Sequence, residues 1–453
     1  MPKPWTVANT ALTWRWLLCA VSDANRSALA HLYRRAGFGA RPEELALAER
    51  RGYAGTVAWL LDRVPTDPGV AATPAPSLAL PEPPGSRAGS AARKRFQLAF
   101  ARQQRQLTMW WLDRMASVDN PLTEKLTWFW HTHFATSVQK VRSPALMLRQ
   151  NEIFRSMGSG GFDALTLTVA RDPAMLIWLD AAQDRKAHPN ENFSRELMEL
   201  FTLGYGSYSE LDVREAARCF TGWHYNRRTD QFAELPAQHD DGVKSVLGFT
   251  GHFDGADLIA RLTHTNASKA WVISRLWSRF AMPIPHYDQM TSALLPAYGS
   301  ALDIGSLLKA ILLHPNFLSP TVRSGLVKQP LEYVVGTLRA LRLPADSPAL
   351  IPVLTALGEL PFVPPNVGGW PENESWLSTG SSYERLRFAA TAAARADLSA
   401  VADEPVAGRV DAAAQVLSVD GWSRTSAAAL RRVADDPQRL MTLALIAPEY
   451  VLN

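Results

Sequence analysis

The apolar positions of this sequence repeat with the period of an α-helix along most of its length. From Ser27 onward, apolar residues recur every three or four positions, in segments that end at glycine, proline or asparagine. Strands with strict alternation of apolar and polar residues are rare. We therefore predict a mainly α protein, with a variable lead-in over residues 1–26 and one large helical domain over residues 27–453.

Two segments interrupt the helical pattern. Proline alternates with alanine, serine and glycine over residues 65–92, which predicts a mobile, proline-rich insertion that cannot hold a helix. Short alternating runs punctuated by Asp-Gly and other glycines predict a small β-hairpin insertion around residues 230–250. Neither segment is predicted to divide the helical domain.

The stretch from His188 to Gly204 reads HPNENFSRELMELFTLG and predicts a short helix with a polar site. Pro189 and the asparagines favour a helix start, and Gly204 favours a stop. At 100° per residue one stripe is apolar and should face the core: Phe193, Leu197, Leu200 and Phe201. The adjacent stripe is polar: Asn192, Glu196 and Glu199.

Two carboxylates one turn apart beside a buried stripe are costly unless they are neutralised. A metal ion, an arginine or a shared proton between Glu196 and Glu199 would each lower that cost. The arginine alternatives are Arg195 on the neighbouring strip and Arg214 or Arg218 in the helix that follows. The spacing alone leaves these options open.

Histidines are concentrated near this stretch. Six of the ten lie between His131 and His252. In one continuous helix, His131 and His133 would point about 200° apart and could not bind the same metal. They could do so if the helix ends near His131 or the pair is extended. The resulting set of candidate metal ligands is His131, His133, His188, Glu191, Glu196, Glu199, His239 and Asp240, with catalytic roles for Glu196, Glu199 and His188.

Composition excludes several classes of protein. Two cysteines provide neither a disulfide framework nor a thiolate metal site. A formal charge of +4 over 453 residues argues against a nucleic-acid partner. No apolar run is long enough for a membrane span, and Arg15 interrupts the only apolar stretch near the start, so we expect a cytoplasmic protein.

Eight motifs together resemble the bacterial domain-of-unknown-function family 1800, from about Ala28 to the C-terminus. They are HLYRRAGFG, NPLTEKLTWFWHTHF, ARDPAMLIWLD, HPNENFSRELMELFTLG, DVREAARCFTGW, the His239-Asp240 pair, VPPNVGGW and the terminal APEY. The resemblance implies a largely helical fold but no settled reaction. It also implies export, which many members undergo, and this chain departs from that pattern by lacking a convincing signal. The residues it singles out are His131, His133, His188, Asn190, Glu191, Glu196, Glu199, His239 and Asp240.

These observations predict a metal-dependent enzyme acting on a small molecule or peptide. Imidazole and carboxylate ligands suit iron, copper, manganese or zinc. Tryptophans lie close in sequence to His131 and His133, which favours oxidoreductase chemistry over hydrolysis. In a metal-dependent hydrolase, Glu196 or Glu199 would be the general base. The alternative is a non-catalytic helical scaffold or partner-binding protein, in which the same residues form a structural polar knot.

Overall fold

A computed structural model describes residues 26–62, 66–79, 83–85, 87–182, 184–284 and 289–452. Within these ranges the chain is mainly α, as predicted, with a small β insertion. The lead-in over residues 1–25 lies outside the described residues. No described helix is long and apolar enough to cross a membrane.

The first third of the described chain contains helices and loops but no strand. Its nine helices are α1 (Arg26–Ala36), α2 (Pro42–Leu61), α3 (Pro68–Ala72), α4 (Ser90–Ser117), α5 (Leu122–His133), α6 (Val138–Val141), α7 (Pro144–Met157), α8 (Phe162–Ala170) and α9 (Pro173–Trp178).

The middle third contains a π-helix and the β insertion. In order, its elements are α10 (Glu191–Glu196), the π-helix Leu197–Thr202, α11 (Glu210–Phe220), β1 (Trp223–Asn226), β2 (Gln231–Glu234), β3 (Lys244–Val246), β4 (Phe249–Gly251), α12 (Gly255–His264), α13 (Asn266–Phe280), α14 (Gln289–Tyr298) and α15 (Ile304–Leu312).

The last third is again helical. Its elements are α16 (Pro320–Arg323), α17 (Pro330–Ala340), α18 (Leu350–Leu357), α19 (Thr379–Arg395), α20 (Ser399–Ala402), α21 (Arg409–Val416), α22 (Arg424–Arg431), α23 (Pro437–Ile446) and α24 (Pro448–Val451). Short 3-10 turns cover Pro236–Gln238, Pro315–Leu318 and Asn373–Trp376.

The proline-rich insertion contains a helix that the sequence did not predict. The carboxylate of Asp67 accepts hydrogen bonds from the backbone N–H groups of Gly69 and Val70, and Pro68 occupies the first turn of α3. A proline at that position loses no helical hydrogen bond. A cap therefore allows one turn of helix where composition argued against any.

The β insertion consists of two separate antiparallel hairpins rather than one. β1 pairs with β2, and β3 pairs with β4. β3 also packs against α11. The insertion therefore lies beside the segment that leads away from the His188–Gly204 stretch.

One hydrophobic core runs through the described chain, and its aromatic part surrounds α5. The side chains of Trp111, Trp128 and Trp130 are completely buried. α5 packs against α7, while α4 packs against α17 from the C-terminal third. The core thus brings distant parts of the chain together around the candidate histidines.

Candidate functional site

His131 lies in an aromatic box inside the core. Its side chain is 1% exposed, and its Nε2 accepts a hydrogen bond from the backbone N–H of Phe362 at 3.0 Å. Five aromatic rings contact the imidazole: Trp111, Trp128, Phe154, Phe362 and Trp370. Burial lowers the pKa of His131 to about 3, so the ring is neutral at physiological pH.

His133 lies in a second aromatic environment. Its Nε2 donates a hydrogen bond to the backbone carbonyl of Phe201 at 2.9 Å. Five rings surround it, and none is shared with His131: Phe129, Trp130, Phe134, Phe162 and Phe201. Burial lowers the pKa of His133 to about 3, and Arg275 contributes in the same direction.

The two histidines have opposite tautomers. Because the Phe362 N–H donates to His131, Nε2 of His131 has no proton, whereas Nε2 of His133 must carry one to reach a carbonyl. α5 continues through His133, so the histidines do not converge. In this arrangement, backbone groups already occupy Nε2 of both rings.

The predicted helix over the His188–Gly204 stretch begins and ends as expected but changes its winding. Asn190 caps α10 by accepting a hydrogen bond from the Phe193 N–H. From Leu197 to Thr202 the backbone is a π-helix, a form that often marks functional sites. Phe193, Leu197 and Phe201 are buried as predicted, and Leu200 is half-buried.

Gly204 ends this helix in a left-handed conformation, with φ 78°. A Cβ atom at this position would lie 2.8 Å from the Trp271 ring. Glycine is therefore required here by both conformation and space.

Glu196 and Glu199 are both half-buried and lie close enough to interact. Burial raises the pKa of Glu196, and the Glu199 carboxylate raises it further. Glu196 forms no hydrogen bond or ion pair with the described residues, whereas Glu199 accepts a short hydrogen bond from the Tyr208 hydroxyl. Glu196 is thus the carboxylate of this stretch without a hydrogen-bond or ion-pair partner among the described residues, although the charge of Arg195 opposes the rise in its pKa.

The arginines proposed as neutralising partners pair elsewhere. Arg195 forms two hydrogen bonds with Glu210, at 2.6 and 2.8 Å. Arg218 binds Asp240 at 2.7 Å and Glu215 at 2.8 Å. Arg214 approaches Glu191, with 3.9 Å between Nε and Oε1. None of the three forms an ion pair with Glu196 or Glu199.

The other candidate ligands are dispersed. His188 and Glu191 are exposed. His239 donates from Nδ1 to the backbone carbonyl of Thr221 at 2.7 Å. The hydrogen bond from Arg218 and the Gly242 N–H hold the pKa of Asp240 at about 2. Among the described residues, no three His, Cys, Asp or Glu side chains are placed to hold a metal ion together.

The sequence did not single out two polar residues that the structure places beside this stretch. Asp184 is buried and accepts a hydrogen bond from the Asn190 N–H at 3.1 Å, and burial raises its pKa to about 7. Tyr208 contacts Glu199, and burial together with that hydrogen bond raises the Tyr208 pKa. The sequence could have pointed to Asp184 and Tyr208 only through their position, since both lie within ten residues of the ends of the His188–Gly204 stretch.

Comparison with known proteins identifies the family but no reaction. A family model described as a protein of unknown function (DUF1800) matches residues 31–452. No curated protein and no solved structure matches the chain. Because the match spans nearly all of the chain, this protein belongs to the DUF1800 family.

Proposed function

We propose that this chain is a non-catalytic helical scaffold or partner-binding protein, in which the polar residues of the family motifs hold distant segments together. The observation that supports this proposal is the pairing of His131 and His133 with backbone groups of two other segments. His131 and His133 have opposite tautomers and lie in separate aromatic environments, so each imidazole is held by its own backbone contact. This arrangement favours a structural role. A metal shared through Nε2 of the two rings would require both of these contacts to be broken.

Other polar residues of the same motif make similar contacts. Glu124 is buried and accepts hydrogen bonds from the Trp111 indole at 2.8 Å and from Arg155 at 2.7 Å. The Trp128 indole donates to Gln329 at 3.0 Å. Buried polar groups that are satisfied in this way fix the register of packed helices. They supply no open coordination position or reactive group.

Elemental analysis by mass spectrometry tests the proposal directly. Wild-type protein and the His131→Ala variant would be incubated with iron, copper, manganese or zinc salts, then desalted. We expect no stoichiometric metal in either protein and a lower free energy of unfolding for His131→Ala. Near-stoichiometric metal in the wild type that is absent from the variant would overturn the scaffold proposal.

A second candidate is a metal-dependent enzyme, with oxidoreductase chemistry ahead of hydrolysis, and Glu196 supports it. This half-buried carboxylate has no described partner and lies next to Glu199, so a divalent or redox metal ion would relieve the repulsion between them. Glu199 would be the second oxygen ligand, and the exposed His188 is the nearest imidazole along the chain. In a hydrolytic reaction, only one of Glu196 and Glu199 would be a ligand, and the other would be the general base that takes the proton from water.

Isothermal titration with Mn²⁺ or Zn²⁺ separates the two candidates. Glu196→Gln removes the unpaired charge, whereas Glu191→Gln is the matched control because Glu191 is exposed and already lies near Arg195 and Arg214. Binding that Glu196→Gln abolishes and Glu191→Gln preserves would favour the enzyme. Absent binding, or equal effects of both variants, would exclude Glu196 as a metal ligand.

A further inference from the structure

The segment over residues 83–112 is strongly cationic, although the whole chain is not. It contains six of the 47 basic residues and none of the 43 acidic ones. Because the formal charge of the chain is +4, the rest of the sequence is net acidic. The small net charge of the whole chain therefore does not reveal that residues 83–112 carry a net charge of +6.

The structure concentrates these charges on one side of α4. At 100° per residue, five side chains fall within an arc of about 100° and extend along about 16 Å of helix. We call this set the cationic face: Lys94, Arg95, Leu98, Arg102 and Arg105. All five are exposed, and Leu98, in the middle, is 63% exposed. The opposite side of α4 packs into the core through Phe96, Phe100 and Leu107.

These cations have no evident role in stabilising the fold. Lys94, Arg95, Arg102 and Arg105 form no ion pair or hydrogen bond with the described residues, in contrast to the paired Arg155 and Arg218. The first turn of α4 has no acidic residue, and basic residues follow it closely. Positive charge near a helix N-terminus opposes the helix dipole and is unfavourable. Exposed basic side chains that pair with nothing in the described structure are available to bind an anion outside the protein.

We propose that the cationic face binds the protein to an anionic lipid bilayer, with Leu98 entering the headgroup layer. A flat anionic surface matches a convex row of cations, and clusters of four or more Lys and Arg residues on a helix are typical of such attachment. A protein interface has an apolar centre with charges at its rim, whereas here cations surround a single leucine. The inference is independent of the proposed function, because the cationic face contains none of the residues on which either candidate function rests.

Vesicle flotation tests this proposal with the full-length protein. Vesicles of phosphatidylcholine mixed with phosphatidylglycerol would be compared with vesicles of phosphatidylcholine alone. We expect binding to the anionic vesicles only, and we expect it to disappear as the salt concentration rises from about 50 mM to about 500 mM. No binding to anionic vesicles at low salt would overturn the proposal.

Two variants and a matched control localise the interaction. The triple variant R95Q/R102Q/R105Q should weaken binding at least about tenfold. The control R424Q/R431Q/R432Q removes the same charge from exposed arginines in and beside α22 and should bind like the wild type. Leu98→Glu alters one exposed residue, so it tests the face even if the triple variant unfolds, and it should also bind more weakly.

Two outcomes would contradict the assignment to a bilayer. An equal loss of binding in the control would show that net charge, not the cationic face, drives attachment. Tighter binding to duplex DNA than to anionic vesicles, with the same sensitivity to the triple variant, would assign the face to nucleic acid instead.

Discussion

The backbone N–H of Phe362 donates a hydrogen bond to Nε2 of His131, although 231 residues separate them in sequence. Phe362 has a positive φ of 66°, which is uncommon for an aromatic residue and costs free energy. Its carbonyl also accepts a hydrogen bond from the Val138 N–H at 2.9 Å. These hydrogen bonds therefore tie the histidine motif to the residue that immediately precedes the VPPNVGGW loop.

Removing the His131 imidazole should destabilise the protein strongly. His131→Ala leaves the Phe362 N–H without its acceptor and opens a cavity among five aromatic rings. We expect the free energy of unfolding to fall by about 2–4 kcal/mol, measured by denaturant titration. His188→Ala is the control, because His188 is exposed, and it should change stability by less than about 0.5 kcal/mol. Equal effects of the two variants would argue against the structural role of His131.

Gly204 and Gly206 allow the cost of a steric clash to be measured separately from the cost of a left-handed backbone conformation. Gly204 and Gly206 have almost the same φ, 78° and 77°, but only a Cβ at Gly204 would meet the Trp271 ring. We expect Gly206→Ala to cost about 1 kcal/mol and Gly204→Ala to cost at least about 1 kcal/mol more. Thermal unfolding of the two variants measures the difference. Indistinguishable melting temperatures would show that the helix end moves freely away from Trp271.

The buried His133 predicts a loss of stability in acid. Its pKa is about 3 in the fold and about 6.5 when unfolded, so the unfolded chain takes up the proton first. Stability from this neutral imidazole is present above pH 6.5 and is lost as the pH falls toward 3. His133→Gln cannot titrate, so the wild type's free energy of unfolding should decline relative to that of the variant below pH 6.5. A difference that stays constant with pH would show that His133 is not buried as a neutral ring.

Asp184 predicts the opposite dependence. Burial raises its pKa to about 7, from 3.8 in the unfolded chain. The protonated form is therefore favoured in the fold, and its contribution is present below pH 3.8 and is lost as the pH rises to about 7. Asp184→Asn should gain stability relative to the wild type by more than about 1 kcal/mol between pH 4 and pH 7, then level off. Urea titrations at several pH values would measure this, and parallel profiles would contradict it.

Local features of the fold could be predicted from the sequence because their partners are close along the chain. Asp172 caps α9, and Ser209 forms a capping box with Asp212, and Asp and Ser are residue types that favour helix starts. The buried stripe of the His188–Gly204 stretch follows from helical spacing alone. Even there, the change from α-helix to π-helix at Leu197 could not be predicted. It alters the number of residues per turn, but the apolar residues of the stripe stay the same.

The candidate site could be predicted only in part, because its contacts depend on the path of the whole chain. The sequence suggested Glu196 or Glu199 as the partner of Arg218, whereas tertiary packing pairs Arg218 with Asp240 and Glu215. The box around His131 includes Phe362 and Trp370. The proline pattern of their loop does not indicate which part of the core the loop contacts. Periodicity does predict that His131 and His133 diverge in a continuous helix, and α5 is continuous.

The hydrogen bond between Phe362 and His131 also affects how the protein is made. Until the ribosome has synthesised residue 362, the box around the imidazole cannot close, because Phe362 forms part of it. Trp111 and Trp128 then lack the aromatic residues of the later loop that cover them in the finished fold. A nascent chain of this length therefore exposes an aromatic surface to chaperones and to neighbouring chains, and a message truncated before that codon yields an aggregation-prone fragment.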